Sequence, residues 1–561
     1  MEIGLRKRIE RLELLHRVAI ALSAEQDKDR LVEMILEEAK KLCNADAGTL
    51  YLRTQDDHLR FAILRTESLG LSLGGSTGKP IDLPPIPLYD PESGKPNHRN
   101  IASYSALVKQ SINIPDAYHH QGFDFSGTKA FDSHNGYRST SFLTIPLVNY
   151  EGLVVGVLQL INATDPQSGT VIAFSRELQD FVETLAYQAA IALDNQLLLD
   201  GQKALMESFI KLIATAIDAK SPYTGGHCER VPVITEMLAK AACDCSEGPL
   251  SEFHMDEKDW YEMRIAAWMH DCGKVVTPVH VMDKATKLET IFDRIDMVRA
   301  RFEVLRRDAE LAYLRALHAR EGDPDSLRAA YDAELKRLDD DLAFLEKANE
   351  GGEFLAKEVQ DRIREIGNRP YREGGELRTL LTKEEIENLC IAKGTLTPEE
   401  RIVINGHMVQ TIKMLEALPW PRYLRRVPEI AGGHHEKMDG SGYPKGLYAG
   451  DMSIPARIMA IADVFEALTA QDRPYKKGKT LSETMRIMGF MKRDNHLDPD
   501  LFNLFVRSGI YREYGNRYLP QELIDEIDET ALLAIEPKPF ELPSKDERFK
   551  RRDSFLPEYC F

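Results

Sequence analysis

GGHHEKMDGSGYPKGL, residues 432–447, sets two adjacent histidines and a glutamate just before a glycine-rich turn. WMHDCGK (268–274) holds a second adjacent pair, His270-Asp271. SPYTGGHCERV (221–231), NGHMVQ (405–410) and AIADVFEALTAQDRPYK (460–476) add His227, His407 and Asp463. Helical patterns surround these residues, with apolar neighbours such as Ile265, Ala266, Trp268 and Ile461. Burying imidazole and carboxylate is costly unless the groups are paired or coordinated. A single such residue is usually a hydrogen-bonded core histidine, but two adjacent pairs with three further candidates are hard to explain that way.

Neighbouring residues on a helix point roughly 100° apart. An adjacent pair therefore reaches two sites, or one ion from a helix end, and the two oxygens of Asp271 can bridge two ions. A mixed imidazole and carboxylate set suits iron, manganese or zinc, and the lack of thiolate argues against a structural zinc. Two close cations are a common device for phosphodiester hydrolysis, activating a bridging water and neutralising charge on the phosphoryl oxygens. No Ser-His-Asp or Cys-His arrangement competes for the role.

Outside these motifs, 561 residues are too many for one hydrophobic core and suggest roughly three domains or helical modules. With 43% hydrophobic and 29% charged residues the composition is that of globular protein. No stretch approaches the roughly 20 apolar residues of a membrane helix. The N-terminal alternation of charge with Leu and Ile suits an amphipathic helix better than a signal peptide, so a cytoplasmic protein is expected. The seven scattered cysteines form no CxxC pair, and Cys243 and Cys245 lack a second pair nearby. A net charge of −18 argues against a partner of the nucleic-acid polymer type.

Residues 1–24 read as an N-terminal helix and 25–195 as an α+β sensor module: a second helix to Leu42, two strands joined at Gln55–Asp57, an irregular lobe over 70–140, and a hairpin turning at Asn149–Gly152. A connector helix is expected over 174–220. It carries Leu178, Phe181, Leu185, Ile191 and Leu197–Leu199, apolar enough to pack either on a parallel partner, giving a homodimer, or on its own sheet. From 207 the pattern is all-helical. Between VVTPVHVMDKATK and GTLTPEER lie about 105 further residues, 288–394. There Leu288, Ile291, Ile295, Val298, Phe302, Leu305, Ala309, Ala312 and Ala316 follow a coiled-coil spacing. EGDPDS (321–326) breaks the pattern before a second helix over 327–348, which predicts an antiparallel helical hairpin whose ends return close together. This arm is either a contributor to dimer contacts or a lid or docking site for a protein partner, and His318 within it is unrelated to metal. Residues 491–561 read as C-terminal helices and a tail of mixed basic and aromatic character that gives no clear message.

Residues 12–195 resemble the GAF family. IPDAYHHQGFDFSGTKAFDSHNGYRSTSFLTIPL resembles the ligand-pocket segment and VVGVLQLIN the final strands. The cyclic-nucleotide signature of that family fits at Asn162 and Phe174 but not at Ala163, Leu178 and Gln179, so a cyclic nucleotide, another small ligand and an empty dimerising module all remain open. His119 and His120 read as surface loop residues.

Residues 207–287 and 395–490 resemble the HD-GYP family of HD phosphohydrolases. The ordered set is His-Asp with Gly-Lys after it, HHExxDGxGYPxGL complete from His434 to Leu447, then ADVFEALT. The resemblance implies that His227, His270, Asp271, His407, His434, His435 and Asp463 hold a metal centre, commonly iron or manganese. It implies that Lys274 contacts the scissile phosphate, and that Tyr443, Arg473 and Lys476 hold the dinucleotide. Tyr223 stands where family members with a third ion carry an acidic residue, so a binuclear centre is expected. Ser221 replaces a frequent Asp, and the Asp463–Arg473 segment is one residue longer than usual.

The resulting fold class is an α+β GAF sensor domain followed by an all-α HD-GYP domain with an inserted helical coiled-coil hairpin. The implied activity is metal-dependent hydrolysis of cyclic di-GMP to pGpG, with onward cleavage to GMP open, Asp271 and Lys274 serving catalysis. Three alternatives stand beside it: another cyclic dinucleotide such as cyclic GMP-AMP, a receptor or scaffold without turnover, or a sensor whose C-terminal half only dimerises. No leaving-group acid is visible.

Overall fold

The computed structural model describes residues 2–220, 226–352, 354–470 and 478–560, the first eleven of them as backbone only. Ser221, Tyr223, Arg473 and Lys476 lie outside the described residues. The chain divides into two compact units, Met1–Met206 and Glu207–Phe561. No helix among the described residues is long and apolar enough to cross a membrane.

The first unit starts with helices Glu2–Ala24 and Lys28–Cys43. Asp27 caps the second, its carboxylate accepting from Arg30 N at 2.8 Å. Eight strands follow: β1 Ala45–Arg53, β2 His58–Thr66, β3 Leu71–Gly74, β4 Ile86–Pro87, β5 Ile112–Ile114, β6 Phe142–Val148, β7 Val154–Thr164 and β8 Val171–Ile172. They form one sheet in the order β3-β2-β1-β7-β6-β5, with β4 on β2 and β8 on β7. Leu50 faces Ile63 on one side and Leu158 on the other, a fixed register in a strand buried along most of its length. At the β6–β7 turn, Asn149 Oδ1 accepts from Glu151 N and Leu153 N while Gly152 takes a φ of 74°.

One sheet face buries Leu31, Val32, Ile35, Leu36 and Ala39 of the second helix together with Val182, Leu185, Ala186, Ala189 and Leu193 of helix Arg176–Lys220. Truncating a residue such as Leu36 to Ala would cost about 2–5 kcal/mol. The two readings of the connector helix are thus divided along its length. Its first half packs on its own sheet, whereas Leu198, Leu205 and Leu212 further along are 52%, 58% and 63% exposed.

The second unit is mainly helical, around a core that includes Val231, Ile234, Leu238, Ile458, Phe465, Phe502, Phe505 and Tyr514. It is not all-helical: β9 Pro370–Glu373 pairs with β10 Glu376–Thr379 inside the insertion. The insertion itself differs from a plain coiled-coil hairpin. Helices Ile295–Ala319 and Pro324–Asn349 run as the expected pair, but the first starts after Ile291, which is 94% exposed, and Ala312 is exposed as well. Only the base of the hairpin is buried, where Val298, Phe302 and Leu345 share a core with Ile363, Leu380, Leu381 and Leu389. A small cap of helix, strand pair and helix Lys383–Leu389 replaces the rest of the seam. The ends do return together: Thr395 Oγ1 donates to Lys284 O at 3.0 Å, and Lys284 Nζ reaches Asn388 and Glu400.

Candidate metal centre

Four helix ends and one helix interior bring the seven residues to one place. His227 opens helix His227–Cys243 after Gly226, whose φ of 79° turns the chain into it. His270 closes helix Glu257–Met269, and Asp271 leads into the 3-10 turn Cys272–Val276. His407 opens helix His407–Glu416, and His434 and His435 follow helix Val427–Gly432. Asp463 lies within helix Ile454–Thr469. Gly273 is what lets the turn approach: a Cβ there would lie 2.0 Å from His407 O and 2.5 Å from Thr411 N.

The imidazoles are held from behind. Nδ1 of His270, His407 and His434 donates to the carbonyls of Ala267, Ile404 and Ala431, each three residues earlier. His227 Nδ1 donates to the Glu466 carboxylate, which also accepts from Arg230 Nε at 2.6 Å. With Nδ1 committed as a donor, each Nε2 faces inward, the arrangement of a metal-binding imidazole.

The inward atoms fall into two groups whose members lie within 4.8 Å of one another: His227, His270, Asp271 and Asp463, and Asp271, His407, His434 and His435. Asp271 belongs to both and divides its oxygens between them. Oδ2 is 3.4 Å from His227 Nε2 and 3.2 Å from His270 Nε2, whereas Oδ1 is 3.3 Å from His407 Nε2 and 4.0 Å from His434 Nε2.

The electrostatics suit cations. Burial pushes the His434 imidazole down to about 4, aided by His270, and burial with His434 and His407 nearby also holds His435 well below its usual range. Burial opposes ionisation of Asp271 and Asp463, yet Lys274, His270 and His227 keep the first carboxyl well below the usual range, and His227, His434 and His435 keep the second below it. Burial likewise opposes charging of His227, but Asp271, Asp463 and Glu466 overcome it and raise the imidazole well above its ordinary value. Asp271 Oδ1, His407 Nε2 and His434 Nε2 are buried without a hydrogen-bond partner. One such atom costs about 1–3 kcal/mol, and three converging in one nitrogen and oxygen set fit a divalent cation.

Lys274 Nζ donates to Asp271 Oδ2 at 2.5 Å. The Tyr443 ring stacks on His435 with centroids 4.9 Å apart and planes at 22°. Glu436, raised to about 7 by burial against several backbone donors, accepts from Lys445 N and Leu447 N and so ties the turn that carries Tyr443. The sequence motifs contain Glu436, Glu466 and Arg230 but give none of them a role. Glu466 was readable in principle, because it stands one turn after Asp463 on the same helix face. Cys243 and Cys245 are free thiols, His119 pairs with Asp116 at 2.7 Å, and His120 stacks on Phe123.

In the first unit a cavity of about 570 Å³ opens beside β1, β2 and β7, lined among others by Tyr51, Phe61, Arg65, Phe131, Phe142 and Gln159. Asn162 is not among its lining residues. Its amide is consumed within the fold, Oδ1 accepting from Thr140 N and Nδ2 donating to Arg138 O.

Residues 27–193 match the GAF domain family, and residues 383–501 match the HD domain family. The chain thus carries an N-terminal GAF domain followed by an HD domain, with a His/Asp cluster of the kind that binds divalent metal. The HD match contains His407, His434, His435 and Asp463, while His227, His270 and Asp271 lie before the insertion.

Among curated proteins, the chain is 37% identical over 165 residues to 3′3′-cGAMP-specific phosphodiesterase 1 of Vibrio cholerae, covering 29% of this chain and 36% of that one. It is 39% identical over 119 residues to a cyclic di-GMP phosphodiesterase of Pseudomonas aeruginosa, covering 21% and 28%. The chain therefore spans about a third of the length of these relatives. A solved GAF domain from a Coxiella burnetii phosphoenolpyruvate-protein phosphotransferase aligns over 35% of this chain and 98% of that one, at 16% identity and a TM-score of 0.26.

Proposed function

We propose that the protein is a metal-dependent phosphodiesterase of the HD-GYP type that opens cyclic di-GMP to linear pGpG, with GMP as an open further product. The observation that carries this reading is the division of Asp271, one carboxylate whose two oxygens face separate imidazole sets. In this reading His227, His270, Asp271 and Asp463 hold one ion, and Asp271, His407, His434 and His435 the other. Iron or manganese is assigned by the family resemblance, and the mixed nitrogen and oxygen donors suit either. When bound, such a pair supplies Lewis acidity and an activated water for phosphodiester hydrolysis. Lys274, already beside Asp271, neutralises phosphoryl charge, and Tyr443 offers a ring for a base. Arg473 and Lys476 are assigned to the dinucleotide by the family resemblance alone.

Elemental analysis of anaerobically purified protein, combined with product chromatography on cyclic di-GMP and 3′3′-cyclic GMP-AMP, tests the reading. Turnover of cyclic di-GMP that disappears in Asp271→Ala supports it, and preference for the mixed dinucleotide moves the substrate within the class. Tight binding without product would replace the enzyme by a receptor.

The GAF cavity, of a size that suits a small ligand, is assigned a regulatory ligand such as a cyclic nucleotide. Homodimerisation is assigned to the connector helix because Leu198, Leu205 and Leu212 recur every seven residues and are exposed. Leu205→Glu with Leu212→Glu should yield a monomer by light scattering. Met297, Val304 and Leu311 repeat the spacing on the insertion, where a protein partner is assigned. The protein is assigned to the cytoplasm.

A further inference from the structure

The C-terminal tail forms a strap. Ser544 opens helix Lys545–Arg552 with a capping box to Glu547, and the last described element is the turn Pro557–Tyr559. Its anchors fall on the loop that carries Tyr443. Leu556 N donates to Pro444 O at 2.8 Å, Lys445 Nζ to Arg552 O at 2.8 Å and Arg551 Nη1 to Gly446 O at 3.0 Å. Arg548 and Arg552 pair with the Asp451 carboxylate at 3.3 and 3.1 Å.

The last turn places a phenol at the centre. Tyr559 is 5% exposed, and its ring centroid lies 6.0 Å from that of Tyr443. Its hydroxyl accepts from Asn405 Nδ2 at 3.0 Å, two residues before His407. Since Tyr443 stacks on His435 and meets Tyr559 at a tilt of 36°, a series of ring contacts runs from the candidate metal centre to the tail. A tail that only covered apolar surface would not need a polar ring held by hydrogen bond beside one ligand helix and by ring contact beside the other. Aromatic pairs at this separation prefer a defined relative orientation.

We infer that Tyr559 is a positioning residue for the dinucleotide: it holds Tyr443 against His435 and so fixes the aromatic wall on which a purine base stacks. This rests on the phosphodiesterase reading. A ring free to reorient must be ordered again by each substrate molecule, which weakens binding while leaving the reacting atoms unchanged.

The test uses the full-length, metal-replete chain with Tyr559→Ala and Tyr559→Phe. Tyr559→Ala should raise KM for cyclic di-GMP about five- to tenfold, with kcat and metal content held. Tyr559→Phe, which keeps the ring and loses the bond to Asn405, should fall between it and the parent. Tryptic cleavage at Arg551 and Arg552 reports whether the strap has come away; a KM rise in Tyr559→Phe with the strap still resistant supports the inference even if Tyr559→Ala releases it. Parental KM in both variants overturns it, as does a loss of kcat and metal at unchanged KM. A parent that binds cyclic di-GMP without turnover replaces KM by Kd in the same comparison. A parent that neither binds nor hydrolyses it overturns the phosphodiesterase reading first, and this inference with it.

Discussion

His227 Nδ1 donates to the carboxylate of Glu466, a residue 239 positions further along the chain. That bond joins the helix carrying the first candidate ligand to the helix carrying the last, and Arg230 holds the carboxylate from its other side. A carboxylate behind a ligating imidazole fixes its tautomer and raises its basicity. Glu466→Gln keeps an acceptor and removes the charge. Metal affinity, measured by competition with a chelator, should fall about 10- to 100-fold while the helical content is retained. Parental affinity would reduce Glu466 to a packing role.

Asp271 and Asp463 differ in a way that stoichiometry can read. Asp463 belongs to one ligand group and Asp271 to both. Asp463→Asn should therefore release one ion and keep the other, whereas Asp271→Asn should weaken both. Elemental analysis after dialysis decides between these outcomes, and equal losses in the two variants would contradict a shared bridging carboxylate. The same ions should appear in stability, since a ligand at a hundredfold its Kd contributes about 2.7 kcal/mol to the folded state. Chelation should accordingly lower the Tm of the parent more than that of Asp271→Asn.

The clustering of the seven candidate side chains was legible in the sequence for two reasons: imidazole and carboxylate beside apolar helical neighbours need a partner, and the ordered motifs resemble one family. The backbone that joins them was less so. Ile291 continues the heptad spacing of Ile295, Val298 and Phe302, but spacing cannot show where a helix begins, and Asp293 Oδ1 accepts from Ile295 N to start it there. The strand pair β9–β10 turns at Gly374-Gly375, both at positive φ, a hairpin signal hidden in a charged, short stretch read as helical arm. The role of the tail was illegible for another reason. Its partners Pro444, Gly446 and Asp451 lie about a hundred residues earlier, and no periodicity encodes such a contact.

Gly273, just before Lys274, has no room for a side chain. A methyl group there would meet His407 O and Thr411 N, both backbone atoms that cannot swing aside. Gly273→Ala must push the turn away from helix His407–Glu416, which should cost about 1–3 kcal/mol as overpacking. Because the displaced segment carries Asp271, both metal equivalents should weaken together. A thermal melt with and without added metal checks this: a lower Tm whose metal-dependent increment has shrunk is expected, and an unchanged increment would show that the turn relaxes without disturbing the carboxylate.

Lys220, the last residue of the connector helix, grips the far end of the same turn. Its ammonium donates to the carbonyls of Lys274 at 3.0 Å, Val275 and Thr277 at 2.6 Å. Two residues earlier, Asp218 accepts from Cys228 N at 3.2 Å, beside His227. The last helical turn therefore touches two of the three segments that supply the first ligand group, yet neither side chain enters that group. Lys220→Met keeps the aliphatic stem and removes the donor, leaving the Lys274 carbonyl free to shift and the Lys274 ammonium with it. A displacement of that kind at the proposed phosphate contact should lower kcat about 10- to 100-fold. Metal content should stay at the parental level, because Asp271 and its four imidazole neighbours remain in place. Loss of kcat together with metal would mean that Lys220 supports the fold of the whole turn, and unchanged kcat would mean that the three carbonyls hold their positions without it.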